Sequence, residues 1–249
     1  MTSEELYKKF ARYYDLIYRK VDYNAEAEFI KKVLKKHKYI NGKKMLDMAC
    51  GTGNHALLLQ DEFQITGVDI NPEMLRIARL KVPNVDFIQG DMKKLDLNNE
   101  FDLIICLFSA ISYNTSYSEL ESTLEKFQAH LKPGGFLIFD MGLNQENWIE
   151  GLVSVDTAVE GNLKLARICQ SHLEDGIFNA NFVFLVKEND VVDFDIDHHK
   201  LGIFQVVKVK KIMEKLGFNT FIYADFTLIK WVKGTGERPI FVGIKSLNQ

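Results

Sequence analysis

The chain has 249 residues, 47% of them hydrophobic and 26% charged, with a net charge of −3. That balance is typical of a soluble globular protein with one large core or two small ones. It provides no broad basic surface for nucleic acid, and no apolar run approaches the roughly 18 residues of a membrane span. Cys50, Cys106 and Cys169 are widely spaced and form neither a disulfide framework nor a zinc pattern, which fits a reducing, cytoplasmic setting.

The opening "MTSEELYKKFARYY" is charged and lacks the apolar centre of a signal peptide. Residues 4–36 are predicted as two helices around "YRKVDYN", with Phe29, Ile30, Val33 and Leu34 on one face. Strands and helices then alternate. Lys44–Met48 is predicted as a short buried strand and His55–Gln60 as a helix. Ile65–Asp69 follows as a strand, then "NPEMLRIARL" as a helix with Asn71 as N-cap and Pro72 at its first position. Val85–Gln89 and "FDLIICLF" are strands, the second apolar enough for the middle of a parallel sheet. Ser118 and Glu121 are spaced as a capping box for the next helix, which "KPGG" ends, and "FLIFDMG" is the fifth strand. The pattern is that of a doubly wound α/β sheet.

Beyond Trp148 the helical period fades. Residues 152–199 are predicted as three or four antiparallel strands, with turns at Asp175-Gly176 and at "END". "VVKVKKIMEKLGF" returns to helix with Gly217 as its stop, and "NTFIYADF" and "RPIFVGIKS" close the sheet. This divides the chain into a helical segment (1–40), an α/β domain (41–144 and 200–249) and a β insertion (145–199).

The chemistry concentrates in "MLDMACGTGNHALLL". Gly51, Gly53 and Ala56 follow a strand in the G-x-G-x-x-A pattern of a dinucleotide fingerprint, and Asp69 ends the second strand, where an acid binds ribose hydroxyls. Asp47 separates the candidates. A pyrophosphate beside it would face a fixed negative charge in a poorly solvated cleft. S-adenosylmethionine (SAM) carries no phosphate, and its ammonium and sulfonium are positive. Asp91, after the third strand, suits the adenine 6-amino group, with Met92 packing on the ring.

In order and spacing, "LDMACGTGNHALLL", "ITGVDINPEML", "VDFIQGDM", "FDLIICLFSAISYN" and "LKPGGFLIFD" resemble the motifs of class I SAM-dependent methyltransferases. The resemblance implies a seven-stranded sheet, mostly parallel, with its last strand antiparallel. It also implies that Gly51 and Gly53 line the SAM site, that Asp69 holds the ribose, and that Asp91 and Met92 hold the adenine. The full cofactor set expected on this basis is Tyr18, Asp47, Ala49, Gly51, Gly53, Asp69, Ile70, Met74, Asp91, Met92 and Leu107. S-adenosylhomocysteine would be the product.

A looser resemblance, through "YYDLIYRKVDYNAEAEFI", "LFSAISYN", "DHHKLGIF" and "GERPIFVGIK", is to nucleotide-linked amino-sugar N-methyltransferases. It implies methyl transfer to a small-molecule amine. The other functional readings are an O-methyltransferase of a small metabolite, a non-catalytic SAM-binding regulator, and an NAD-dependent oxidoreductase, which Asp47 opposes. Tyr14, Tyr113 and His199 are the candidates to receive the amine proton. Tyr113 stands where some relatives carry histidine. The insertion is expected to cap the substrate or to form a homodimer contact. No nucleic acid or membrane partner is expected.

"DFDIDHH" does not suit a metal, because adjacent His198 and His199 on a strand point to opposite faces. Its alternation predicts a wet face carrying Asp193, Asp195 and Asp197. His55 is read as a surface or packing residue as readily as a cofactor contact.

Overall fold

The structure is a computed structural model and describes residues 5–38, 42–145 and 147–247. The expected boundary at residues 40 and 41 lies outside them. The chain separates into two compact units, Met1–Val21 with Ile149–Ile203, and Asp22–Trp148 with Phe204–Gln249.

The larger unit is built on a seven-stranded sheet. In chain order its strands are β1 (Lys44–Met48), β2 (Gln64–Asp69), β3 (Asp86–Gln89), β4 (Phe101–Cys106), β5 (Leu131–Asp140), β10 (Phe218–Ala224) and β11 (Pro239–Lys245). The spatial order is β10-β11-β5-β4-β1-β2-β3. β1 to β5 run parallel, and β11 pairs antiparallel with both β5 and β10. The helices are α2 (Tyr23–Lys36), α3 (Asn54–Leu59), α4 (Pro72–Lys81), α5 (Tyr117–Ala129) and α6 (Val206–Lys215).

Both faces of the sheet are covered, which explains the nearly continuous apolar strands. Met45, Leu103, Ile105, Phe136 and Ile138 meet α2, α3 and α4 through Phe29, Ile30, Ala56, Leu59, Leu75 and Ala78. Leu46, Met48, Ile104, Leu137 and Phe139 meet α5 and α6 through Leu120, Leu124, Phe127, Val209 and Met213. Strand side chains alternate between the faces, so Asp47 lies on the same face as Met45, the side of α2 and α3.

Three local expectations change. The box around α5 is formed by Ser116, whose Oγ accepts the Glu119 N–H at 3.2 Å, and by Glu119, whose carboxylate accepts the Thr115 N–H at 2.7 Å. Ser118 and Glu121 lie inside the helix, so the cap is two residues earlier than expected. Asn71 is the N-cap of α4 by position, but its side chain makes no cap bond; Asp69 Oδ1 instead accepts the Asn71 N–H at 2.8 Å. "KPGG" does not end α5, because Leu131–Asp140 is one strand with a register shift against β4.

The smaller unit contains a four-stranded antiparallel sheet, β6 (Val153–Glu160), β7 (Leu163–Glu174), β8 (Ile177–Glu188) and β9 (Val191–Gly202), in sequential order. The expected turns are present. Asp175 and Gly176 have φ of 51° and 77°, and Asn189 and Asp190 have 48° and 65°, as a two-residue hairpin of type I′ requires. The first predicted helix resolves into two 3-10 turns, Glu5–Tyr7 and Ala11–Tyr13, and the short α1 (Tyr14–Ile17).

The wet face expected on β9 holds at exposed Asp193 and half-buried Asp195 and fails at Asp197. Asp197 is fully buried, its Oδ2 accepting the Leu6 N–H at 2.9 Å, while Lys9 Nζ donates to Asp193 at 3.1 Å and to Asp195 at 3.0 Å. The N-terminal segment covers the acidic side at Asp197, and Phe194 and Ile196 on the other face are exposed.

Candidate active site

The order of the larger sheet reverses beside β1, where the chain winds out through β2 and β3 and returns as β4. Ligands of open α/β sheets bind at such a switch point, outside the carboxyl ends of the strands. The residues predicted from the glycine loop collect there.

The loop after β1 turns on positive φ, 58° at Ala49, 54° at Gly51 and 79° at Gly53. Gly53 is the N-cap of α3, and a side chain there would strain the backbone and crowd Ala78 at 3.3 Å and Phe87 at 3.4 Å. Met74 lies beneath Gly51. Lys81 Nζ donates to Thr52 Oγ1 at 3.1 Å and to Asn54 Oδ1 at 2.6 Å, tying α4 to the loop.

Asp69 holds the loop against β2. Its Oδ2 accepts the Gly51 N–H at 2.9 Å, its Oδ1 the Asn71 N–H, and burial raises its pKa. Ile70, next to it, is 53% exposed, an apolar surface at the rim of the crevice. Asp91 Oδ1 accepts the Lys93 N–H at 2.9 Å and caps the 3-10 turn that carries Met92.

Asp47 is 2% exposed and its Oδ2 has no hydrogen-bond partner. Burial pushes its pKa up to about 7, the His55 charge opposes that shift, and the Asp69 charge adds to it. A buried carboxylate oxygen without a donor calls for a cationic donor from outside the chain. This is the feature that fits SAM, which has an ammonium to offer, and does not fit a pyrophosphate.

After β4 the chain passes buried Leu107 into Phe108 and Ser109, both with positive φ (65° and 58°). Ser109 donates through its N–H (2.9 Å) and its Oγ (3.0 Å) to fully buried Asp140 at the end of β5, while its Oγ accepts the Gly142 N–H at 2.7 Å. These bonds hold a backbone that would otherwise relax. Tyr113 is half-buried at the end of the 3-10 turn that follows.

Sequence reasoning missed one group at this end of the sheet. His55, on α3, is buried, and its Nε2 lies 2.7 Å from Glu26 Oε2 on α2. Tyr23 meets the His55 ring edge-on at 5.3 Å and stacks on Phe108 at 6.4 Å. The partners are 29 residues apart, and no local spacing marks the pair.

The remaining predicted residues lie in the smaller unit. Tyr14 is buried against Tyr18, with ring centroids 4.7 Å apart. The Tyr18 hydroxyl accepts from Arg167 Nη1 at 2.7 Å, and Arg167 also donates to Asp156. His199 is buried with its Nε2 2.9 Å from Asp197 Oδ2 and with Tyr7 and Phe182 edge-on to its ring.

A sheet of this order, with a glycine turn after its first strand and an unpaired buried acid beneath that turn, defines an α/β protein of the class I methyltransferase architecture. Comparison with known proteins agrees. Residues 45–135 match the family described as a methyltransferase domain. The chain is 32% identical over 237 residues to the dTDP-3-amino-3,4,6-trideoxy-alpha-D-glucopyranose N,N-dimethyltransferase of Streptomyces venezuelae, covering 93% of this chain and 95% of that one. It is 31% identical over 195 residues to the dTDP-3-amino-3,6-dideoxy-alpha-D-glucopyranose N,N-dimethyltransferase of Streptomyces fradiae, covering 77% and 75%. The crystal structure of Streptomyces venezuelae DesVI superposes with a TM-score of 0.84 at 27% identity, over 95% and 98% of the two chains. SAM-bound CalS10, an amino pentose methyltransferase from Micromonospora echinaspora, gives 0.78 at 25% identity over 92% and 93%. The chain belongs to the SAM-dependent methyltransferases, in the branch that contains these amino-sugar N-methyltransferases. It is an enzyme, and its cofactor is SAM.

Proposed function

We propose that this enzyme methylates the amine of a small molecule, an amino sugar carried on a nucleoside diphosphate. The observation that carries this reading is near full-length similarity, insertion included, to a relative named for such a substrate. Bound SAM supplies a sulfonium methyl whose loss leaves a neutral thioether. The protein's own contribution is to hold the reactants in line, and positioning of this kind supplies roughly 7–11 kcal/mol.

In this reading Asp47 Oδ2 accepts from the ammonium of SAM, Asp69 from the ribose hydroxyls and Asp91 from the adenine amino group, with Ile70 and Met92 against the ring. Gly51 and Gly53 keep the loop free of side chains, and Ala49, Met74 and Leu107 shape its floor. Tyr18 completes the cofactor set. Tyr113, Tyr14 and His199 are the proposed acceptors of the proton that the amine must lose for its lone pair to attack.

The direct test offers a dTDP-amino sugar and its hydroxyl counterpart with SAM, and reads S-adenosylhomocysteine release and product mass. Methylation of the amine alone is expected. Methylation of the hydroxyl counterpart alone would replace the proposal with an O-methyltransferase.

The smaller sheet is proposed to pair with its own copy in a homodimer. Register aligns Val155, Ile168, Val183 and Ile196 in one row, and Thr157, Ala166, Leu185 and Phe194 in the next. All but Ala166 are exposed. Four strands about 4.8 Å apart and 8–12 residues long give a footprint of about 500–750 Å². This approaches the roughly 800 Å² per partner of a standard interface.

A further inference from the structure

The buried pair Glu26–His55 is not used by the reading above, yet it lies on the Asp47 side of the sheet. Asp47 projects toward the face covered by α2 and α3, and these helices carry Glu26 and His55. Glu26 is 5% exposed and His55 7%, and their side-chain atoms meet at 2.7 Å. Asp47 and His55 lie within electrostatic range of each other. A second anchor comes from Tyr23, which packs against both the His55 ring and Phe108.

The charges explain what such a pair does. Asp47 and Asp69 are both buried acids, and the Asp69 charge adds to the burial that raises the Asp47 pKa. Glu26 fixes the imidazole, and a charged ring then offsets the Asp47 carboxylate and leaves it able to ionise. When an ammonium meets Asp47, its charge joins that of His55 against the Asp47 and Asp69 carboxylates. Without the His55 charge, Asp47 would keep its proton, and the ammonium would meet a neutral acid.

We propose that His55, clamped by Glu26, is the counter-charge of Asp47 and thereby positions the ammonium end of SAM. The proposal rests on the reading that Asp47 meets that ammonium. His55 acts through Asp47 and is a positioning residue.

The direction of the pKa shifts agrees. Burial lowers the His55 pKa, but the Glu26 hydrogen bond and the Asp47, Glu26 and Asp140 charges outweigh it and raise the result. Facing Asp47 are His55 from α3 and Asp69 from β2. The Cys50 and Cys106 thiols, from the loop and from β4, feel its charge and are themselves pushed up by burial.

The test is equilibrium binding of S-adenosylhomocysteine and of 5′-methylthioadenosine, which lacks the amino-acid end, between pH 5.5 and 8. For the unmodified protein, S-adenosylhomocysteine affinity is expected to fall below about pH 7 while 5′-methylthioadenosine affinity stays flat. His55→Gln is expected to weaken S-adenosylhomocysteine at least tenfold at pH 7 and to move the fall to higher pH, with 5′-methylthioadenosine unchanged. Equal weakening of both ligands, or an unmoved pH midpoint, would overturn the proposal.

Asp47→Asn separates the two levels. If it leaves S-adenosylhomocysteine binding unchanged, the cofactor reading itself fails. If it weakens binding and His55→Gln does not, only the role of His55 fails. Should His55→Gln not fold, histidine NMR on the unmodified ligand-free protein still decides. A His55 ring that is neutral at pH 6 would sink the idea.

Discussion

With burial pushing Asp47 up to about 7, the ligand-free protein holds this carboxyl part neutral and part charged near neutral pH. A carboxyl whose folded pKa lies above its unfolded value binds more protons when folded. The contribution of Asp47 to stability is therefore fully present below the ordinary aspartate range and is lost as pH rises through about 7. Asp47→Asn removes that loss. At pH 8 the ligand-free variant should melt at a higher temperature than the parent, by an amount on the order of a few kcal/mol in stability. It should also lose most of the stabilisation that added SAM confers. A variant that melts lower and still gains fully from SAM would show that Asp47 is structural. Asp69 behaves differently, because its two oxygens already hold backbone N–H groups, that of Gly51 in the loop and that of Asn71 at the start of α4. Asp69→Ala should weaken SAM at least tenfold by calorimetry, and an unchanged dissociation constant would remove Asp69 from the site. Asp47 was legible in the sequence as an acid directly before a glycine turn. Its missing hydrogen-bond partner was not, nor was His55, because both depend on what α2 brings from outside the motif.

At the scale of elements, the strands that place the site are short apolar runs ended by acids or glycine turns, and they were legible as such. What escaped were features set by the tertiary partner. Asp197 on β9 was misassigned because alternation gives two faces without saying where either is covered. The answer came from a Leu6 N–H and a Lys9 ammonium supplied by the N-terminal segment. The α5 cap shifted by two residues because Ser116 and Glu119 satisfy the same spacing rule as Ser118 and Glu121, and Thr115 adds a second donor. The β4–β5 connection carries a further prediction. Ser109 Oγ donates to Asp140 Oδ2, which Arg238 Nη1 also approaches at 3.6 Å, and accepts the Gly142 N–H, so Ser109→Ala removes one donor from a buried acid and the acceptor of the Gly142 N–H. The expected cost is about 1–3 kcal/mol in denaturant unfolding. Because the substitution loosens the segment after β4 and leaves the glycine loop intact, kcat should fall more than SAM affinity. Equal losses in both would mean that this segment also supports the cofactor.

For the whole molecule, a four-stranded sheet whose buried face is covered by its own N-terminal segment still presents Val155, Ile168, Val183, Ile196, Leu185 and Phe194 to solvent. Contiguous apolar patches of this extent are uncommon on a monomer and mark interfaces. The rim is polar, with Lys164 and Lys187 at one end and Gln170, Asn181 and His198 at the other, while the centre carries no charge. A two-fold axis through that uncharged centre brings like onto like without repulsion, as an isologous contact requires. Replacing Val183 and Phe194 together by Glu would then put four carboxylates into an interface core that excludes water. The double variant should elute at half the parent mass in light-scattering chromatography and keep its far-UV circular dichroism. Its surface should also bind less of an apolar dye than a monomeric parent would. If the parent is already monomeric at tens of micromolar, the exposed face needs an occupant other than a second copy of this chain. If both proteins remain dimers, the contact lies elsewhere on the molecule.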